Sequence, residues 1–170
     1  MDANELRAMQ APLKDKYKTD AGSALVTLKA KGSIDDNSIT CKVDTGRAIA
    51  EAGLHPATGG TGLELCSGDM LLEALVACAG VSLKAVATAI DVPLKSANVF
   101  AEGDLDFRGT LGVDKAAKVG FQAIRLRFEI ETDVPQEKID QLIKLTERYC
   151  VVYQTLAVKP DLSVSVKSHA

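Results

Sequence analysis

The sequence predicts an α+β fold, and three patterns carry that prediction. Residues 67–90, SGDMLLEALVACAGVSLKAVATAI, are apolar around nearly the whole helical circumference, which marks a helix buried on most sides. Segments in which apolar and polar side chains alternate lie on both sides of it, as antiparallel strands with one covered face require. An amphipathic helical stripe follows these strands and does not separate parallel ones, which distinguishes α+β from α/β.

At 170 residues the chain suits a single domain over 1–170, or one subunit of an intertwined oligomer. A net charge of −3 and 4% aromatic residues provide neither the basic surface nor the stacking platforms of a nucleic-acid binder. The first ten residues, MDANELRAMQ, are charged from the second position and hold no apolar h-region. No secretory signal is read, and a cytoplasmic location is expected. Cysteines at 41, 66, 78 and 150 form no CxxC pair, which argues against a zinc ribbon or a thioredoxin motif. In a reducing compartment they start as free thiols, and no metal or other cofactor is expected.

Residues 1–20 read as a helical extension: Asn4 to Lys18 is rich in Leu, Met, Ala and Lys, and Asp20-Ala21-Gly22 ends it. Ala24 to Ala30 alternates, with Ala24, Val26, Leu28 and Ala30 on one face of a half-buried strand. Ser33 to Asn37 supplies turn chemistry, and Ser38 to Val43, carrying Cys41, returns as the second arm of a hairpin. Asp44 to Gly53, which contains Arg47, admits a third strand. His55 to Gly62, HPATGGTG, is a loop whose glycines let backbone approach another group closely. It lacks the glycine spacing and the lysine of phosphate-binding loops. His55, beside a proline, is ordinarily a surface residue and is kept as a site candidate.

The helix at 67–90 takes Ser67 as N-cap and has Asp69 in its first turn, where the helix dipole favours a carboxylate. Asp69, Glu73 and Lys84 interrupt its apolar run, so it is read as a core helix and not a membrane span. Asp91-Val92-Pro93 stops it. In the next strand Val99, Ala101, Gly103, Leu105 and Phe107 share one face, while Asn98, Glu102, Asp104 and Asp106 form an acidic, solvated sheet edge. After a polar turn over 109–118, Phe121 to Glu131 alternates most cleanly. Ile124, Leu126, Phe128 and Ile130 point inward; Arg125 and Arg127 point outward and are expected to pair across strands with Asp104 or Asp106. Asp133-Val134-Pro135-Gln136 has the form of a capping box. Ile139, Leu142, Ile143, Thr146 and Tyr149/Cys150 then make the inner stripe of an amphipathic helix. Cys150 to Val158 is again apolar, and Leu162 to Lys167 alternates as a final strand.

A cysteine in the middle of a core helix is ordinarily inert filler, and nothing local activates Cys78. It lies about eleven residues into the helix, beyond the roughly one-turn reach of the dipole. Glu73 and Asp69 sit roughly 140° and 180° around the axis from it. Cys66 would be roughly 18 Å away along a continuous helix, too far for a disulfide. A reactive Cys78 therefore takes its partners from elsewhere in the fold, and Cys150, at the end of an inward-facing stripe, is the natural candidate.

The segment SGDMLLEALVACAGVSL resembles the first signature of the OsmC/Ohr family (osmotically inducible and organic hydroperoxide resistance proteins), and ERYCVVYQTL resembles the second. The order and spacing of the two, the hairpin between them and the terminal strand are also similar, from about Ala24 onward. The resemblance implies an intertwined homodimer, with antiparallel sheets wrapped around paired central helices and two active sites at the interface. It implies a thiol peroxidase with a role in stress response. Cys78 would attack the distal oxygen of an organic hydroperoxide, and Cys150 would resolve the resulting sulfenic acid as a disulfide. A dithiol reductant of lipoyl or thioredoxin type would restore both thiols. It also implies an arginine beside the attacking sulfur, held by a carboxylate. Arg47 is the best match, with His55 a weaker alternative; Asp69 or Glu73 is the orienting carboxylate, and His55 and Glu73 are also placed in contact with substrate. The sequence departs from the family pattern at Ser67-Gly68 and at Val151, where proline is common, and no arginine stands at an unmistakable motif position.

Two other readings stay open. A protein of the same fold can be a non-catalytic binding module whose apolar dimer cleft takes a small hydrophobic or thiol-containing ligand. A metal site built from Cys66, Cys78 or Cys150 with His55 is disfavoured by irregular spacing and by only two histidines in the chain.

Overall fold

A computed structural model describes residues 3–34, 41–43, 52–63 and 65–168. Helix α1 (Ala3–Thr19) is the N-terminal extension, and a 3-10 turn (Ala21–Ala24) leads from it into β1 (Leu25–Ile34). β1 pairs antiparallel with β2 (Cys41–Val43) and, on its other side, with β5 (Ser96–Asp106). β5 pairs antiparallel with β6 (Ala123–Glu131), giving the order β2-β1-β5-β6. A separate parallel pair, β3 (Ala52–Gly53) and β4 (Leu65–Cys66), delivers the chain into α2 (Ser67–Ala89). A short α3 (Phe107–Thr110) follows β5; α4 (Gln136–Tyr149) and α5 (Val151–Ala157) follow β6. Helices on an antiparallel sheet, not interleaved with its strands, make this the α+β class that the residue patterns predict.

The sheet and the helices are joined through α2. Leu72, Leu75, Val76 and Ala79 are sealed from solvent against Val99 and Ala101 of β5 and against Cys150. Leu83, Val86 and Ala87 pack with Ala97 and Leu142. Each fully buried Leu or Val contributes roughly 1.5–3 kcal/mol relative to exposure, so this one helix clamps β5 to α4. With 23 residues and an 18-residue window of mean hydropathy 1.8, α2 is long and apolar enough to cross a membrane, so its three charged residues do not by themselves exclude a span. Its packing against β1, β5, α4 and α5 is what makes it a core helix. Only 44% of its apolar window is buried within one chain, and Leu71 and Val81 stay more than a third exposed.

Local expectations change where tertiary partners outweigh the chain's own pattern. Ser67 is already helical; Cys66 is the N-cap, and it makes no side-chain capping bond. Ser33 belongs to β1, paired with Asn98 and Lys42, and not to a turn. β5 lies between β1 and β6 and is no edge. Asp106 is buried there because Arg108, two residues on, wraps it with bonds of 2.6–3.1 Å, and Phe107 turns into α3. Arg125 does pair with Asp104, at 2.9 Å from its Nη2, while Arg127 goes to Glu129 and lies 4.0 Å over the Phe100 ring. Pro135, not Asp133, precedes the first turn of α4, and Asp133 is taken by Lys95 at 2.6 Å. The expected final strand does not form. Leu162, Val164 and Val166 alternate as predicted, yet they are 80%, 93% and 86% exposed with no strand beside them among the described residues.

Candidate active site

Two of the candidate residues meet. Cys78 projects half-buried from α2 into the cluster formed by Leu72, Leu75 and Cys150. Cys150 occupies the single residue between α4 and α5 and serves both helices. Its N–H donates to the Thr146 carbonyl at 2.9 Å, its carbonyl accepts from Gln154 N at 2.9 Å, and its Sγ accepts from Tyr153 N at 3.4 Å. Cys78 packs against the buried cluster that holds Cys150, and the two thiols interact electrostatically. Burial pushes the Cys150 thiol up to about 11; the Tyr153 N–H opposes the rise, and the neighbouring Cys78 thiol adds to it. Cys150 therefore keeps its proton at neutral pH.

A cavity of about 560 Å³ meets the cluster around the two cysteines through Leu75 and Tyr153, although neither thiol lines it. Leu71 and Leu75, on the turns of α2 just before Cys78, form one wall, Ile124 and Leu126 of β6 another, and Tyr153 and Leu156 of α5 a third. The side chains are overwhelmingly apolar, and the size is that of an ordinary small-molecule site. The sequence had marked Ile124 and Leu126 as inward-facing but gave no sign of the cavity, because its walls come from three elements far apart in the chain.

The remaining candidates form a second group, at the start of α2. His55 is fixed by its own loop: Nδ1 accepts from Ala57 N at 3.0 Å, the ring stacks on Phe107 at 4.9 Å, and its carbonyl takes the Thr58 hydroxyl at 2.8 Å. With Nδ1 used as acceptor, the neutral ring carries its proton on Nε2. Desolvation lowers the His55 pKa, and the nearby Asp69 charge partly offsets this. Burial raises Asp69, with His55 opposing; burial and then the Asp69 charge raise Glu73. Among the described residues, no hydrogen bond or ion pair joins these three to either thiol. The loop does use its glycines for close approach: a Cβ on Gly60 would collide with the Leu54 carbonyl.

Arg47 lies outside the described residues. The arginines whose side chains are described are engaged elsewhere: Arg108 with Asp106 and Asp114, Arg125 with Asp104 and Glu102, Arg127 with Glu129, and Arg148 over the Tyr149 ring. Arg108 on Asp106 is the kind of carboxylate-held arginine that the resemblance implies, but it serves the turn after β5. Its bonds hold the Asp106 carboxyl below the usual carboxylate range in spite of burial. Among the described residues no group of three His, Cys, Asp or Glu side chains is gathered as a metal site.

An antiparallel sheet, one apolar central helix and two cysteines packed into one buried cluster define a protein of the α+β class. The sequence profile of the OsmC-like protein family matches residues 60–165, and the chain belongs to that family. No curated protein sequence matches the chain. Among solved structures it is similar to an OsmC-like hydroperoxide resistance protein from Jannaschia sp. CCS1, with a TM-score of 0.64 and 15% identity over 85% of this chain and 95% of that one. At that identity the likeness establishes the fold. The matched span holds both thiols, and α1 lies outside it.

Proposed function

We propose that the protein reduces organic hydroperoxides with a dithiol. The observation that carries this is the packing of Cys78 into the buried cluster that holds Cys150, which an apolar cavity reaches through Leu75 and Tyr153; the hydroperoxide resistance protein of the same fold supports it. The Cys78 thiolate attacks the distal oxygen of the hydroperoxide, the O–O bond breaks, and the alcohol leaves with a proton. The sulfenic acid on Cys78 is then attacked by the Cys150 sulfur, forming a disulfide and releasing water. A dithiol of lipoyl or thioredoxin type, acting in the cytoplasm, reduces the disulfide by two exchanges and is itself oxidised. Arg47 supplies the cation at Cys78, Asp69 orients it, and His55 and Glu73 line the approach.

The test is consumption of cumene hydroperoxide with dihydrolipoamide. Cys78→Ser should abolish turnover; Cys150→Ser should leave one equivalent of peroxide reduced per chain and stop recycling through the disulfide. Turnover unaffected by Cys78→Ser would end the proposal. The engagement of every described arginine side chain elsewhere favours a second reading, a binding module in which the thiols are spectators; on that reading peroxide is not consumed by wild type. We further propose a homodimer, supported by the uncovered half of α2 and the unpaired 162–166 segment. Solution scattering at micromolar concentration should give twice the chain mass, and a single-chain mass refutes it.

A further inference from the structure

The 560 Å³ cavity has a neighbour. A second cavity, of about 310 Å³, lies toward the His55 loop and is walled mainly by Leu54, Leu105, Phe107 and Val119. The two share Gly120 and Phe121, so the Phe121 ring is a common wall. That ring is seated on Gly103, in the middle of β5. A Cβ at position 103 would lie 2.6 Å from Phe121 Cδ1 and closer still to Cε1. A glycine inside a strand gives up packing and chain stiffness, and commonly marks close approach of another group. Here the group is the Phe121 ring, which occupies the notch between Ala101 and Leu105 on the covered face of β5.

We propose that Phe121, held over Gly103, is the specificity-determining residue of the site: it ends the larger cavity and restricts it to compact hydroperoxides. This rests on the peroxidase reading for the identity of the ligand, though not for the existence of the partition. Removing the ring joins the cavities into one groove running from Leu75 and Tyr153 to the His55 loop. Beyond Phe121 the walls are mostly apolar, with His55, Thr58, Ser67 and Thr110 among them, so what the groove then accepts is an unbranched hydrocarbon tail, at a gain in binding of severalfold for each methylene buried against the apolar part.

The experiment measures binding of unreactive alcohols, the products of the proposed reaction, to Cys78→Ser protein by calorimetry. 2-Phenyl-2-propanol is the compact probe and 1-decanol the long one. With Phe121→Ala, 1-decanol should bind at least about 10-fold tighter and 2-phenyl-2-propanol should change by less than about twofold. Phe121→Leu should fall between and guards against poor folding of the alanine variant. Unchanged 1-decanol affinity in both variants, or equal shifts for the two alcohols, overturns the partition. Wild type inert toward cumene hydroperoxide with the alcohol pattern intact overturns the peroxidase reading alone.

Discussion

Replacing Gly103 by alanine tests the Phe121 seat by stability, independently of any ligand. The new Cβ would fall 2.6 Å from Phe121 Cδ1, with Cε1 closer still and Cζ at 3.3 Å, against an optimum of about 3.5–4.0 Å for carbon pairs. Relief requires the ring to leave the notch, an overpacking cost of about 1–3 kcal/mol. Gly→Ala at a compatible strand position returns about 0.4–1 kcal/mol through the unfolded chain, so the net loss should be about 1–2 kcal/mol. In a Phe121→Ala background the obstacle is gone, and the same substitution should stabilise by about 0.4–1 kcal/mol. Urea unfolding of the four proteins of this cycle, followed by far-UV circular dichroism, gives the coupling directly. Gly103→Ala effects that agree within about 0.5 kcal/mol in the two backgrounds would refute the seat.

Two further outcomes are expected. Tyr17, almost fully buried, donates its hydroxyl to the Ala57 carbonyl at 2.6 Å. Tyr17→Phe should cost about 1 kcal/mol and, in limited proteolysis, release residues 1–20 sooner than in wild type. Because the folded state holds the Cys150 proton to about pH 11 while an ordinary thiol titrates near 9.0, its contribution is complete below pH 9. It is lost as pH rises toward 11, at no more than about 1.4 kcal/mol per pH unit. Denaturant midpoints across that interval should fall more steeply for wild type than for Cys150→Ser, and parallel profiles would contradict the burial argument.

What the residues reveal on their own is whatever depends on one element's periodicity. β6 shows its alternation in the sequence because Ile124, Leu126, Phe128 and Ile130 face the core while every residue between them is exposed. α2 shows its burial because its apolar residues leave no polar stripe. Asp106 was misread because its fate is decided by Arg108, whose guanidinium compensates a burial that alternation alone assigns to solvent. The segment 162–167 was read as a strand on a true alternation, but pairing needs a neighbour, and pattern does not supply one. Cys150 could be placed at the end of an inner stripe. Its packing in one cluster with Cys78 joins residues far apart in the chain, which no window of sequence contains. The Phe121 seat was half visible, as a glycine in mid-strand without a turn to explain it.

The position of Cys150, one residue between two helices and against a third, has a consequence for energetics. A bond from Cys78 to Cys150 would close a loop of about 70 residues containing β5, β6 and α4. Ring closure of that length removes roughly 4 kcal/mol of freedom from the unfolded chain, and folding favours the disulfide by the same amount. For a two-electron couple this corresponds to roughly 90 mV toward a lower potential. A monothiol has to drive both exchanges from solution against that bias. A dithiol completes the second exchange within its own mixed disulfide, where the closing thiol is present at high effective concentration.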